Sequence, residues 1–217
     1  MKKIALINLI AIVFIAVSCT KFGKNITVKG RVLNPITGEG YAGVEIKLLR
    51  SKSFQYAGGY TAIQKVTSDE NGYYEISAMR TGTIYLIPGE IGDKYSCGFK
   101  YNNKYYSMIQ VTKGKVMHVD YHIVPYGKLQ INIKDINCNG SNDTLKIYRT
   151  HSLPNFYDNV PNPAIYVGCI DQTGNMNQAP MGWYKYTGVI IKNGVTTPIS
   201  DSIFLEKGET KVWNIFY

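Results

Sequence analysis

The feature that most constrains this chain is a period of two. Ile26, Val28, Gly30 and Val32 alternate with polar neighbours, and Val44, Ile46 and Leu48 do the same. Tyr74 with Ile76, and Ile84 with Leu86, continue the pattern. Successive side chains on a strand point to opposite faces, so each run describes a strand with one buried side. Turn signals break these runs about every 8–15 residues. No stretch after Cys19 holds a helical period. Composition agrees, with 18 tyrosines against 8 prolines, because Tyr, Val, Ile and Thr suit a pleated, half-buried surface. The expectation is an all-β chain built as sandwiches.

Two turns carry detail. Asn34-Pro35-Ile36-Thr37-Gly38 joins the first two strands; Pro presets φ for a turn and Gly accepts φ > 0. Asp69-Glu70-Asn71-Gly72 precedes Tyr73-Tyr74-Glu75-Ile76. Asn-Gly before alternating apolar residues signals a hairpin. Asp-x-Asn-Gly also begins like a calcium loop, but Tyr73-Tyr74 interrupts the further ligands such a loop needs, so a hairpin turn is expected.

Three blocks in order carry a family resemblance. They are Val28-x-Gly30-x-Val32-x-Asn34-x-x-Thr37-Gly38, then Ala42-Gly43-Val44-x-Ile46-x-Leu48, then Thr67-Ser68-Asp69-Glu70-Asn71-Gly72-Tyr73-Tyr74-x-Ile76. Together they resemble a carboxypeptidase regulatory-like domain, over residues 26–88 and more loosely to about 124. The resemblance implies a transthyretin-like sandwich and a structural or binding module. It brings no catalytic residues.

The rest of the chain echoes the first part. Ile109-Gln110-Val111-Thr112-Lys113-Gly114-Lys115 and Ile203-Phe204-Leu205-Glu206-Lys207-Gly208-Glu209 both lead from alternating apolar residues through Lys-Gly into a strand. A closing hairpin used twice predicts two tandem Ig/transthyretin-like sandwiches. Pro125-Tyr126-Gly127 marks the boundary, giving domains 26–125 and 126–217. The Asn-, Pro- and Gly-rich segment 150–182 reads as long loops.

The N-terminus supplies an address. Lys2 and Lys3 precede an apolar run, Ile4 to Val17, that is shorter than the roughly 20 residues a spanning helix needs. Ala16-Val17-Ser18-Cys19 resembles a bacterial lipobox, with Ala16 where leucine is more usual. That implies a signal peptide over 1–18, a lipidated Cys19 and a tether over 19–25. With Thr20 rather than Asp after the cysteine, and Lys21 and Lys24 nearby, resemblance to lipoproteins of Bacteroidota-like bacteria implies the outer membrane, on its periplasmic face.

The formal charge is +9, two units of it on Lys2 and Lys3. The remaining lysines are scattered, and an exported protein is not expected to bind nucleic acid. Beyond Cys19, Cys97, Cys138 and Cys169 are odd in number, so at least one stays unpaired within the chain. A Cys138–Cys169 bridge is left open.

Three constellations are candidates for chemistry. His118-x-Asp120-x-His122 would share one face of a strand, but the two histidines would stand about 13 Å apart, too far for one ion. A polar solvent face is expected, and no metal or cofactor. Aromatic residues form the second group: Tyr101 and Tyr105, beside Phe99 and Tyr106, and Trp183 and Tyr184, beside Tyr186. Exposed rings on a sandwich can stack on sugars, whereas strand tyrosines ordinarily pack in cores. The third is nucleophilic catalysis, for which the chain has neither a Gly-x-Ser-x-Gly elbow nor a Gly-Lys-Ser phosphate loop. The expected protein is a non-catalytic envelope lipoprotein that contacts another envelope protein. The alternative is a glycan-binding lipoprotein.

Overall fold

The computed structural model describes residues 25–52, 59–79, 82–154, 156 and 162–217. The expectations for the signal peptide and for Cys19 lie outside the described residues. Among the described residues there is no helix. The strands are β1 (Asn25–Leu33), β2 (Glu45–Ser51), β3 (Tyr60–Thr67), β4 (Tyr73–Met79), β5 (Ile84–Pro88), β6 (Lys94–Tyr101), β7 (Lys104–Tyr106), β8 (Ile109–Gln110) and β9 (Val116–His118). They continue as β10 (Asp120–Lys134), β11 (Thr144–His151), β12 (Ala164–Val167), β13 (Asp171–Thr173), β14 (Asn177–Pro180), β15 (Gly182–Lys192), β16 (Val195–Leu205) and β17 (Thr210–Phe216).

The strands form three sheets. The largest follows β4-β1-β10-β6-β7, with β9 beside β1 and β13, β14 and β17 beside β10. The others run β3-β2-β5-β8 and β12-β11-β15-β16. Each smaller sheet faces part of the large one, so the chain is built as β-sandwiches. In the first core, Ile46, Leu48, Ile84 and Leu86 meet Ile26, Val28, Ile76, Phe99 and Tyr121. In the second, Leu145, Ile147, Tyr184, Tyr186 and Leu205 meet Leu129, Ile133, Trp213 and Ile215. Each fully buried aliphatic side chain contributes about 1.5–3 kcal/mol, and the period-two pattern is what delivers them to one face.

The strand plan occurs twice. β1 pairs antiparallel with β4 and parallel with β9. The distal half of β10 pairs antiparallel with β13 and β14 and parallel with β17. Likewise β2 pairs with β3 and β5, and β5 with β8, while β11 pairs with β12 and β15, and β15 with β16. The two Lys-Gly turns occupy equivalent places, but neither closes the expected hairpin: each carries the chain from a smaller sheet to the large one, β8 to β9 and β16 to β17. Gly114 (φ 76°) donates to the Asn25 carbonyl at 2.9 Å, and Gly208 (φ 70°) donates to the Tyr126 carbonyl at 3.0 Å.

β10 joins the two cores. From Tyr121 to Pro125 every residue is buried, because Ile123 packs into the first core and Val124 into the second. β9 and the start of β10 follow one another beside β1 in one register, with Val119 between them, and β10 then runs on to Lys134, so Val116 to Lys134 spans about 60 Å at strand rise. Asn25 lies at the Val116 end, and Lys134 marks the far pole.

The Asn71-Gly72 turn is tight but closes no hairpin: β3 pairs with β2 and β4 with β1, so the turn carries the chain from one sheet to the facing one, and the hairpin expectation is corrected. Asp69 Oδ1 accepts from the N–H groups of Asn71 and Tyr73 at 2.9 and 2.8 Å. Gly72 sits at φ 83°. A Cβ there would press on the Val32 carbonyl oxygen and lie 3.0 Å from Gly40 Cα. The segment 150–182 departs from the loop expectation, because β12, β13 and β14 all lie within it. Backbone pairing along β10 recruits β13 and β14 although their side chains are largely exposed and polar, a case where the ladder needs no apolar alternation. Cys138 and Cys169 are bonded, with Cα atoms 5.3 Å apart, and Cys97 is free and buried.

Candidate functional site

The candidate rings do not assemble into one platform. β6 and β7 form a hairpin around Asn102 and Asn103, both at positive φ (49° and 60°), as a tight primed turn requires. Lys100 pairs with Tyr105, and Tyr101 with Lys104. Cross-strand partners share a face and neighbours do not, so Tyr101 and Tyr105 point to opposite sides. Tyr101 packs against the first core and Tyr105 against the second. Phe99 is fully buried, with its ring centroid 4.8 Å from that of Tyr121.

Trp183 and Tyr184 separate in the same way. Trp183 is 44 % exposed, edge-on to Phe204 at 5.3 Å, with Lys185 Nζ 5.9 Å from its ring. Tyr184 is only 3 % exposed. Its hydroxyl donates to the Pro180 carbonyl at 2.8 Å, and its ring meets His151 at 4.4 Å. Of the four candidates, Trp183 is the ring that faces solvent broadly.

The histidine pattern is corrected. His118 is exposed and lines an outward groove of about 530 Å³ with Lys29, Glu75 and Asp120. Asp120 Oδ1 accepts the Arg31 N–H at 2.9 Å. His122 is instead 5 % exposed. Its Nδ1 lies 2.8 Å from the Tyr105 hydroxyl, and burial holds its pKa below the usual imidazole range. The solvent-face expectation fails at His122 for two reasons. The pairing of β10 with β6 shifts register between His122 and Ile123, and the second sandwich covers this stretch of β10. His151 is buried as well. The Leu153 N–H donates to its Nδ1 at 3.0 Å, and burial pushes its pKa down to about 4. Both imidazoles are neutral at pH 7 and act as hydrogen-bonding struts.

One cleft opens on the second sandwich. It encloses about 260 Å³ between the inner face of β10 and the β12–β15 side. Leu129 and Ile131 form an apolar floor, Tyr166 and Tyr184 a wall, and Asn177 and Gln178 a polar rim. An apolar floor with convergent amides suits a small polyhydroxylated ring. Tyr166, Asn177 and Gln178 fall in the segment whose composition reads as loops, so the cleft is not visible in the sequence. Local pattern offered no signal for it, because β12 and β14 meet only through tertiary pairing with β11 and β10.

A second cluster lies at the far pole. Asp135 and Asp143 close around Lys192 there. The sequence carries a partial sign of it: Asp135-x-Asn137-x-Asn139-Gly140-x-x-Asp143 matches the first nine positions of a calcium loop, while Lys146 stands where such a loop has its bidentate Glu.

No family model and no curated protein matches the chain. Solved structures resemble it distantly. The Bacillus anthracis TIE protein is 18% identical with a TM-score of 0.30, covering 89% of this chain and 34% of its own. A streptococcal ancillary pilin is 14% identical with a TM-score of 0.32, covering 91% and 63%. GBS52, the minor pilin of Streptococcus agalactiae, is 13% identical with a TM-score of 0.33, covering 88% and 94%. The chain thus spans a third and under two thirds of the first two. Likeness at this level transfers neither residues nor function.

Proposed function

We propose that this protein is a non-catalytic cell-envelope lipoprotein: a rigid spacer, lipid-anchored through Cys19 on the periplasmic face of the outer membrane, that presents its far pole to another envelope protein. Its two sandwiches, 26–125 and 126–217, are of carboxypeptidase regulatory-like plan. The observation that carries this reading is β10 itself, one strand from Asp120 to Lys134 that runs through both sandwiches. A hinge between the sandwiches would need β10 to end between them, whereas it continues past the register shift at His122 and Ile123 and contributes adjacent side chains to both cores. The lipid enters at the Asn25 end, so the strut holds Lys134 and its neighbouring loops about 60 Å away.

The test has two arms. Labelled palmitate should enter the native chain, and Cys19→Ala should take up none and leave the membrane fraction. Small-angle scattering of the soluble Cys19→Ala chain should give a radius of gyration well above the roughly 16 Å of a compact domain of this size. An acylated variant, or a compact particle, overturns the reading.

Trp183 favours a second reading, a glycan-binding lipoprotein. An exposed ring beside Lys185 and a cleft walled by Tyr166 and Tyr184 lie on the same sandwich. Glycan-array binding lost in Trp183→Ala would support this reading over the first.

A further inference from the structure

We propose that the loop from Asp135 to Asp143 is a calcium site at the far pole, in which Lys192 is a tethered cation that Ca²⁺ displaces. The Lys192 ammonium sits where such an ion would sit. Its Nζ lies 2.5 Å from Asp135 Oδ1, 3.0 Å from the Asn137 carbonyl oxygen and 3.8 Å from Asp143 Oδ2. Three oxygens of one loop therefore converge on a single positive charge.

A second observation shows that the ammonium does not complete the site. The Asp135 side chain is 0 % exposed, and its Oδ2 has no hydrogen-bond partner. A buried, unpaired carboxylate oxygen is costly and calls for an explanation. One carboxylate oxygen each of Asp135 and Asp143, with Cys138 Sγ, lie within 4.8 Å of one another. A divalent ion held by both Asp135 oxygens, by Asp143 Oδ2 and by the Asn137 carbonyl would satisfy the orphan.

The donor set selects the ion. Cys138 is bonded to Cys169, so no thiolate is offered and the ligands are hard oxygens, which suit Ca²⁺ or Mg²⁺. Ca²⁺ accepts six to eight oxygens in flexible geometry, while Mg²⁺ demands an octahedron and sheds water reluctantly. Water completes the shell around Ca²⁺. Two carboxylates and one ammonium leave the cluster one unit negative; replacing the ammonium with Ca²⁺ makes it neutral. Lys192 rises from the end of β15 with its side chain 18 % exposed and its Nζ 5.3 Å from the Tyr217 ring, so Ca²⁺ has to displace it from that ring as well as from the two carboxylates. Competition from Lys192 should place the affinity in the range of extracellular modules, about 10⁻⁴–10⁻³ M.

The test uses the full chain, stripped with a chelator, and titrates CaCl₂ and MgCl₂ by calorimetry and thermal melting. The native chain should bind one Ca²⁺, rise in Tm, and respond at least tenfold more weakly to Mg²⁺. Lys192→Gln removes only the competitor and should tighten Ca²⁺ binding at least tenfold. Asp135→Asn should weaken it at least tenfold. A native chain that shows no Ca²⁺ binding, a Lys192→Gln chain that binds no tighter, or a folded Asp135→Asn chain that binds as well as the native one overturns the assignment. Lys192→Gln keeps every oxygen of the loop, so it decides the matter even if Asp135→Asn does not fold.

Discussion

Trp183 and Tyr184 are adjacent in sequence and opposite in environment, and truncating each alone should show it. Tyr184 is 3 % exposed, packed on His151 and bonded to the Pro180 carbonyl. Tyr184→Ala opens a cavity in the second core and strands that carbonyl, at a cost of about 3–5 kcal/mol. Trp183 is 44 % exposed and loses only an edge contact with Phe204 and a solvated contact with Lys185. Trp183→Ala should cost under about 1 kcal/mol. For a chain of this size, 1 kcal/mol moves Tm by about 2–4 °C. Tyr184→Ala should therefore lower Tm by about 6–20 °C and Trp183→Ala by no more than about 4 °C. Tyr184→Phe isolates the hydroxyl and should cost about 1 kcal/mol. Calorimetry and urea unfolding of the full chain measure all three. Equal losses for the two alanine variants would refute the assignment of these rings to opposite faces.

Gly72→Ala should destabilise by more than about 1 kcal/mol in urea unfolding, since φ 83° disfavours a Cβ and the backbone of Val32 and Gly40 leaves no space for one; a neutral result would contradict the turn geometry. Replacing Cys138 and Cys169 with serine frees a loop spanning a sequence separation of 31, and chain entropy sets the loss at about 3–4 kcal/mol; an unchanged urea midpoint would count against the bridge. His151 titrates near 4 when folded and near 6.5 in the unfolded chain. Both forms are neutral above 6.5. Between about 6.5 and 4 the unfolded chain takes a proton that the fold refuses, so stability should drop as pH falls, by at most about 1.4 kcal/mol per pH unit. His151→Gln should flatten that slope in unfolding curves at pH 7.5, 5.5 and 4.5, and an unaltered slope would sink the argument.

The sequence alone determined the local geometry. Ile26, Val28 and Val32, then Ile46 and Leu48, then Ile84 and Leu86, alternate in sequence and are all buried. This was legible because side-chain direction on a strand depends only on position along it. Gly72, Gly114 and Gly208 were legible as turn residues for a similar reason, since positive φ is a property of one residue and its neighbours. The tertiary structure decided everything that depends on what covers a strand. His122 alternates with apolar residues as an exposed side chain would, yet it is buried, because two sandwiches meet around β10 and leave that stretch no solvent face. Trp183 and Tyr184 are both aromatic and differ only in which side of β15 the second core occupies. The cleft beside Tyr166, and the convergence of Lys192 on Asp143 and on Asp135, the latter 57 residues away, come from strand pairing across long stretches of chain. Period and turn chemistry describe each strand by itself, while the partners of a face are set by long-range packing that no local pattern encodes.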